Sequence, residues 1–219
     1  MCATLRRMAQ IEKPTLLIIT GPQGSGNHLF SKIFSLHSAV TGWTALYDRV
    51  WVGHDQEPFQ QYWQDPQQLK DFDWAQSQYY MTSISCPYVL NKKFSMPKYA
   101  EFITEAKKHC NILLGVIGRD KNVLKCQQLR VRRGEHTAPD AVKELAKLKD
   151  LTDNVFYLSQ ELFFLYGKDY LLNLSKQIGF PVAYEDAYIA EILTMEANGK
   201  YIRPVEEGPF DQEQFKINY

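Results

Sequence analysis

Thr15-Leu-Leu-Ile-Ile-Thr20, followed at once by Gly21-Pro-Gln-Gly-Ser-Gly-Asn-His28, decides how the rest of the chain is read. The first six residues form a short apolar run bounded by Pro14 and Gly21, the pattern of a strand buried on both faces of a parallel sheet. Three glycines and a serine then let the backbone turn tightly. Beyond the turn, Leu29, Phe30, Ile33, Phe34 and Leu36 recur at near-helical spacing, so a helix packed on the sheet is expected. The unit is strand, glycine turn, helix.

Similar units follow. From Trp43 to Tyr80 the chain is rich in Trp, Tyr, Gln and Asp without clean periodicity, and Asp65-Pro66 ahead of Gln67–Tyr80 predicts a capped helix. A strand is expected at Tyr88–Phe94, a helix from Pro97 to about His109, an apolar strand at Asn111–Gly118 and a basic helix at Asn122–Arg133. Gly134–Pro139 reads as an exposed break, Asp140–Lys149 as a charged helix, Asn154–Ser159 as the last buried strand and Lys168–Ile178 as an amphipathic helix. Strands alternating with helices imply an α/β fold of the P-loop type, a parallel central sheet flanked by helices with ligands at the carboxyl ends of its strands. No internal repeat interrupts it, and 219 residues suit one domain spanning 1–219.

Bulk properties narrow the function classes. A chain that is 45% hydrophobic and 23% charged is ordinary for a globular protein, which sets aside wholesale disorder and fibrous repeats. Its 25 basic and 25 acidic residues cancel, so general nucleic-acid binding through a basic surplus is not expected. Cys2, Cys86, Cys110 and Cys126 form no CxxC or Cys/His cluster and are expected to be free thiols without metal. No apolar run reaches the length of a membrane span and no secretory leader is evident, so a cytoplasmic location is expected.

Gly21–His28 has the length and glycine placement of a phosphate-binding loop, in which backbone N–H groups converge on an anion at a helix N-terminus. Nucleoside triphosphatases place Lys and then Ser or Thr after the last glycine, to reach the outer phosphates and a magnesium ion. Here those positions are Asn27 and His28. The missing ammonium and hydroxyl disfavour ordinary ATP or GTP hydrolysis and suit a diphosphate-like ligand held without metal.

Two stretches together resemble the sulfotransferases that use 3′-phosphoadenosine 5′-phosphosulfate (PAPS). Ser25-Gly26-Asn27-His28 is similar to the core of that family's 5′-phosphate loop, and Ile112-Leu-Leu-Gly-Val-Ile-Gly-Arg-Asp120 to its buried strand ending in Arg, which leads into a helix gripping the 3′-phosphate. Tyr88–Phe94 is similar to a lysine-bearing strand of some members, and Val155–Leu162 to their late strand. Gly24 stands where many members have a basic loop residue, Gln127 replaces the second motif's serine, and Gly199-Lys200 is loosely similar to a C-terminal nucleotide loop. The resemblance implies that Gly21, Gln23, Gly24, Ser25, Gly26, Asn27, His28, Arg119 and Gln127 hold the nucleotide. It also implies transfer of a sulfuryl group to an alcohol or amine of a small molecule or glycan.

Arg119 has its own support, because a guanidinium at a strand's carboxyl end is placed for paired bonds to a phosphate. Arg130, Arg132 and Arg133 read instead as a solvated helix face. Transfer chemistry needs a base and a cation for the leaving group. His54 and Glu57 are the candidate bases, Lys92 or its neighbour Lys93 the candidate cation, and His28 a donor from the first helical turn. The aromatic residues between Trp43 and Tyr80 fit a core better than a cleft. A divergent P-loop kinase or NTPase and a non-catalytic nucleotide-binding protein remain the alternatives.

Overall fold

A computed structural model describes residues 13–47, 56–90, 93–131 and 137–194. In chain order they form β1 (Thr15–Pro22), α1 (Asn27–Ser35), β2 (Val40–Thr41), α2 (Gln60–Gln64), β3 (Tyr79–Cys86), β4 (Tyr88–Leu90) and β5 (Lys93–Ser95). Then come α3 (Tyr99–Ala106), β6 (Asn111–Gly118), α4 (Lys121–Val131), α5 (Ala138–Leu145), β7 (Val155–Ser159), α6 (Gln160–Ile178) and α7 (Ala187–Thr194). Five strands make one parallel sheet in the order β2-β3-β1-β6-β7, so the chain is α/β with helices on both faces.

The apolar run read as a buried strand lies at the centre. Leu16, Leu17, Ile18 and Ile19 are wholly buried, alternate residues facing opposite sides of the sheet. Leu17 and Ile19 meet Phe30, Ile33 and Phe34 of α1 and Phe163 and Leu171 of α6. Leu16 and Ile18 meet Trp63 of α2, Phe102 and Ile103 of α3 and Ala141 of α5. Trp63 and Phe102 stack there with ring centroids 3.8 Å apart.

Several expectations are corrected. After Asp65-Pro66 the chain makes only a 3-10 turn, Pro66–Asp71, and then extends into β3, so no helix runs over Gln67–Tyr80. β3 pairs with β1 over its whole length, from Thr15↔Tyr79 to Pro22↔Cys86. Its hydroxyls conceal its burial, because Thr82 is 0% exposed yet bonded to the Pro58 carbonyl at 3.0 Å. Tyr88–Phe94 is not one strand of the central sheet but parts of the antiparallel hairpin β4-β5, with Leu90 opposite Lys93. The charged helix stops at Leu145 and is followed by a separate 3-10 turn, Leu148–Asp150. The late helix begins at Gln160 rather than Lys168 and breaks at Gly167, whose φ of 54° and ψ of −127° are not helical. Helix α7 had no counterpart in the sequence reading.

Candidate functional site

The sheet order creates one crevice. From β1 the chain leaves through α1 for β2 on one side, and from β6 it leaves through α4 and α5 for β7 on the other. β1 and β6 are adjacent, so their connections diverge and leave a gap at their carboxyl ends, where open α/β sheets place ligands. The glycine loop follows β1 and Arg119 follows β6, which puts both on the rim of that gap.

Glycine is required at two loop positions. Gly24 has φ +88° and Gly26 φ +113°, in the left-handed region that side chains rarely enter. Ser25 N donates to the Pro22 carbonyl at 3.0 Å, closing the turn. Gly26 caps α1 without any side-chain bond, and the first intrahelical donor is Phe30 N, to the Gly26 carbonyl at 3.0 Å. The amides of Asn27, His28 and Leu29 therefore have no carbonyl inside the helix to serve, and they point out of its positive end. Beneath the loop, a Cβ on Gly21 would run into Ser25 Oγ and come within 3.0 Å of Ile117. Ser25 Oγ is buried and has no hydrogen-bond partner. Amides, an unpaired hydroxyl and a positive helix end suit a phosphate.

Arg119 and Gln127 close over the loop from the other side. Arg119 Nη1 donates to the Gly24 carbonyl and, at 2.5 Å, to Gln127 Oε1. Gln127 sits so close that a Cβ on Gly24 would lie 2.9 Å from its Cδ. The neighbouring Gln128, 1% exposed, donates from Nε2 to the Gln23 carbonyl at 2.7 Å. Its Oε1 accepts from Thr137 N and Ala138 N at 3.1 and 3.2 Å, so one buried amide links the loop to the start of α5.

The loop's other flank is tied to β3. Asn27, where a triphosphatase would carry lysine, is 4% exposed and turns its Nδ2 to Ser85 Oγ at 2.8 Å. Thr20 Oγ1 donates to the Ile84 carbonyl at 2.8 Å and lies 2.5 Å from Tyr99 Oη. A hydroxyl has one proton to give, so Tyr99 is the donor in that second bond. Burial raises the Tyr99 phenol well above its ordinary range, keeping the proton it donates. Gln160, first residue of α6, approaches from the far side, with its Oε1 buried, unpaired and 3.5 Å from where a Gly26 Cβ would stand.

The loop residues Gly21 to His28, with Arg119 and Gln127, are thus assembled in one place. His28 leans on Trp43, ring centroids 5.1 Å apart, at the start of α1. Glu57 is buried near the middle of β3 rather than at its end, since the next residue's carbonyl bonds Thr82, which pairs with Ile18. His54, Lys92 and Gly199-Lys200 lie outside the described residues. Gln128, Gln160, Ser85 and Tyr99 had not been singled out, and a buried amide or hydroxyl inside a helix or strand leaves no mark in sequence. Among the described residues no three His, Cys, Asp or Glu side chains gather as a metal site, and no helix is long and apolar enough to cross a membrane. No protein-family model and no curated protein matches the chain.

Proposed function

We propose that the chain is a P-loop-type sulfotransferase, with the phosphates of 3′-phosphoadenosine 5′-phosphosulfate held between the glycine loop and Arg119. One observation carries the reading: the loop and Arg119 meet across the β1/β6 gap while Asn27 and His28 replace the ammonium and the metal-binding hydroxyl of triphosphatases. The 5′-phosphate would take the amides at the start of α1 and Ser25 Oγ. The 3′-phosphate would take Arg119 and the amide of Gln127, once the guanidinium leaves the Gly24 carbonyl. For Arg119 the exchange replaces a neutral carbonyl by an anion, and charge-assisted hydrogen bonds are about twice as strong as neutral ones.

In the transfer, an alcohol or amine of a small molecule or glycan attacks sulfur. The new bond to sulfur forms as the bond from sulfur to the bridging phosphate oxygen breaks, and adenosine 3′,5′-bisphosphate leaves with the bonding pair. The acceptor's proton passes to a base, for which His54 is the candidate, since Glu57 lies back along β3, and Lys92 and His28 are the candidates to offset charge on the leaving oxygen.

Calorimetric titration with adenosine 3′,5′-bisphosphate in chelator, beside ATP with magnesium, tests the nucleotide. Binding of the first and not the second is expected, followed by label transfer from sulfur-labelled donor across a panel of alcohols and amines. Magnesium-dependent ATP turnover without bisphosphate binding would replace the reading by a kinase-like one. Binding without transfer would leave a non-catalytic nucleotide-binding protein.

A further inference from the structure

Beside the β1/β6 gap lies a groove of about 1070 Å³, lined by α4, α5, the Leu148–Asp150 turn and the ends of β6 and β7. Its floor is apolar and includes Val116, Leu124, Leu145, Leu148 and Tyr157. β7 is the edge of the sheet, and on this face Tyr157 stays 74% exposed, with Val142 of α5 59% exposed on the same groove. Apolar side chains left in a concave surface of this size mark a ligand site, since small-molecule pockets run to roughly 300–1,000 Å³.

The rim says which ligand. Among the described residues that line it, Arg119, Lys121, Lys125, Lys143 and Lys149 are cationic and none is acidic. Carboxylates flank the rim, but none lines the groove. Asp120 is committed to the amides of Asn122 and Val123 at 2.9 and 3.0 Å, where it caps α4. Asp140 reaches Lys143 only at 3.7 Å, as an exposed pair of the kind that contributes little. Elsewhere on α5, Glu144 is engaged with Lys147 at 2.6 Å.

We infer that this groove binds a small amphipathic anion, an acyl or aryl body on the apolar floor and a carboxylate, sulfate or phosphate head among the lysines. The groove meets the proposed nucleotide site at Pro22 and Arg119, but its apolar floor and four of its five rim cations, Lys121, Lys125, Lys143 and Lys149, lie outside that site, so the inference does not rest on the sulfotransferase reading. Its apolar floor selects against a bare inorganic anion, and its uniform charge selects against a cationic amphiphile of equal length.

Calorimetry with decyl sulfate, decyltrimethylammonium and decanol, each below its aggregation threshold, tests it. Decyl sulfate is expected to bind one to one, at least tenfold more tightly than either of the others. Val142→Glu places a carboxylate on the groove from an exposed position, and Lys125→Glu reverses a rim charge. Each is expected to weaken decyl sulfate at least tenfold and to leave the unfolding midpoint nearly unchanged. Equal affinity for the cationic amphiphile, or indifference to both substitutions, would overturn the inference. So would competitive displacement of decyl sulfate by adenosine 3′,5′-bisphosphate, which would give the groove to the nucleotide. If decyl sulfate binds as expected and the bisphosphate does not bind at all, the groove stands and the proposed function falls.

Discussion

Arg119 carries five N–H donors in a planar fork at the carboxyl end of β6, and its Nη1 is already turned onto the Gly24 carbonyl and Gln127. The guanidinium is therefore oriented toward the loop before any ligand arrives, which lowers the ordering cost of binding. Under the proposed function its partner is the 3′-phosphate alone. Arg119→Ala is expected to weaken adenosine 3′,5′-bisphosphate by about 2–4 kcal/mol, roughly 30- to 1,000-fold, and to leave adenosine 5′-phosphate much less affected. Calorimetry on both ligands checks this, and equal losses would take Arg119 out of the role. Of the loop's residues, the glycines were the most legible in sequence, because a left-handed turn between a strand and a helix leaves few other choices. Gln128 was not, although it ties Gln23 to α5, because nothing in sequence separates a buried amide from an exposed one.

At the scale of elements, legibility followed how each strand satisfies its buried side chains. β1 and β6 are apolar runs and were read correctly, as was α1. β3 was missed since Tyr79-Tyr-Met-Thr-Ser-Ile-Ser-Cys86 interleaves small hydroxyls with apolar residues, yet seven of its eight residues are buried. Thr82 shows why this is tolerable: its hydroxyl donates to the Pro58 carbonyl at 3.0 Å and accepts from Trp63 Nε1 at 3.1 Å. Ser83, next in line and equally buried, has an Oγ without a partner. The two hydroxyls should behave oppositely. Thr82→Val strands the indole N–H and the Pro58 carbonyl and is expected to cost about 1–3 kcal/mol in urea unfolding. Ser83→Ala removes an unpaired polar atom from the interior and is expected to be neutral or slightly stabilising. A loss at Ser83 as large as that at Thr82 would contradict this account of how β3 is held.

On the scale of the whole molecule, the core between the sheet and α3 holds two thiols, Cys86 and Cys110, at 0% and 2% exposure. Burial pushes Cys86 up to about 11 and Cys110 up to about 12. A thiol of the unfolded chain ionises near about 8.5. Between those values the unfolded chain has given up its thiol protons while the folded chain keeps them. The folded state then binds more protons, and stability falls as pH rises. The contribution is whole below about pH 8.5 and is lost as the pH climbs toward the folded values, at about 1.4 kcal/mol per pH unit for each thiol. The phenols of Tyr99, Tyr47, Tyr80, Tyr88 and Tyr170 are raised by burial too and add to the slope as the pH nears 10, so a window ending at about pH 9 leaves mainly the cysteines. Urea unfolding is expected to show a loss of roughly 1–1.5 kcal/mol from pH 8 to pH 9. In the Cys86→Ala, Cys110→Ala double variant that loss should shrink to a small remainder, even though the variant starts from a lower stability for want of packing. A curve as steep in the double variant as in the unmodified protein would assign the alkaline loss to other groups. A flat curve in both would mean that these thiols are not held apart from solvent as the sheet and α3 hold them.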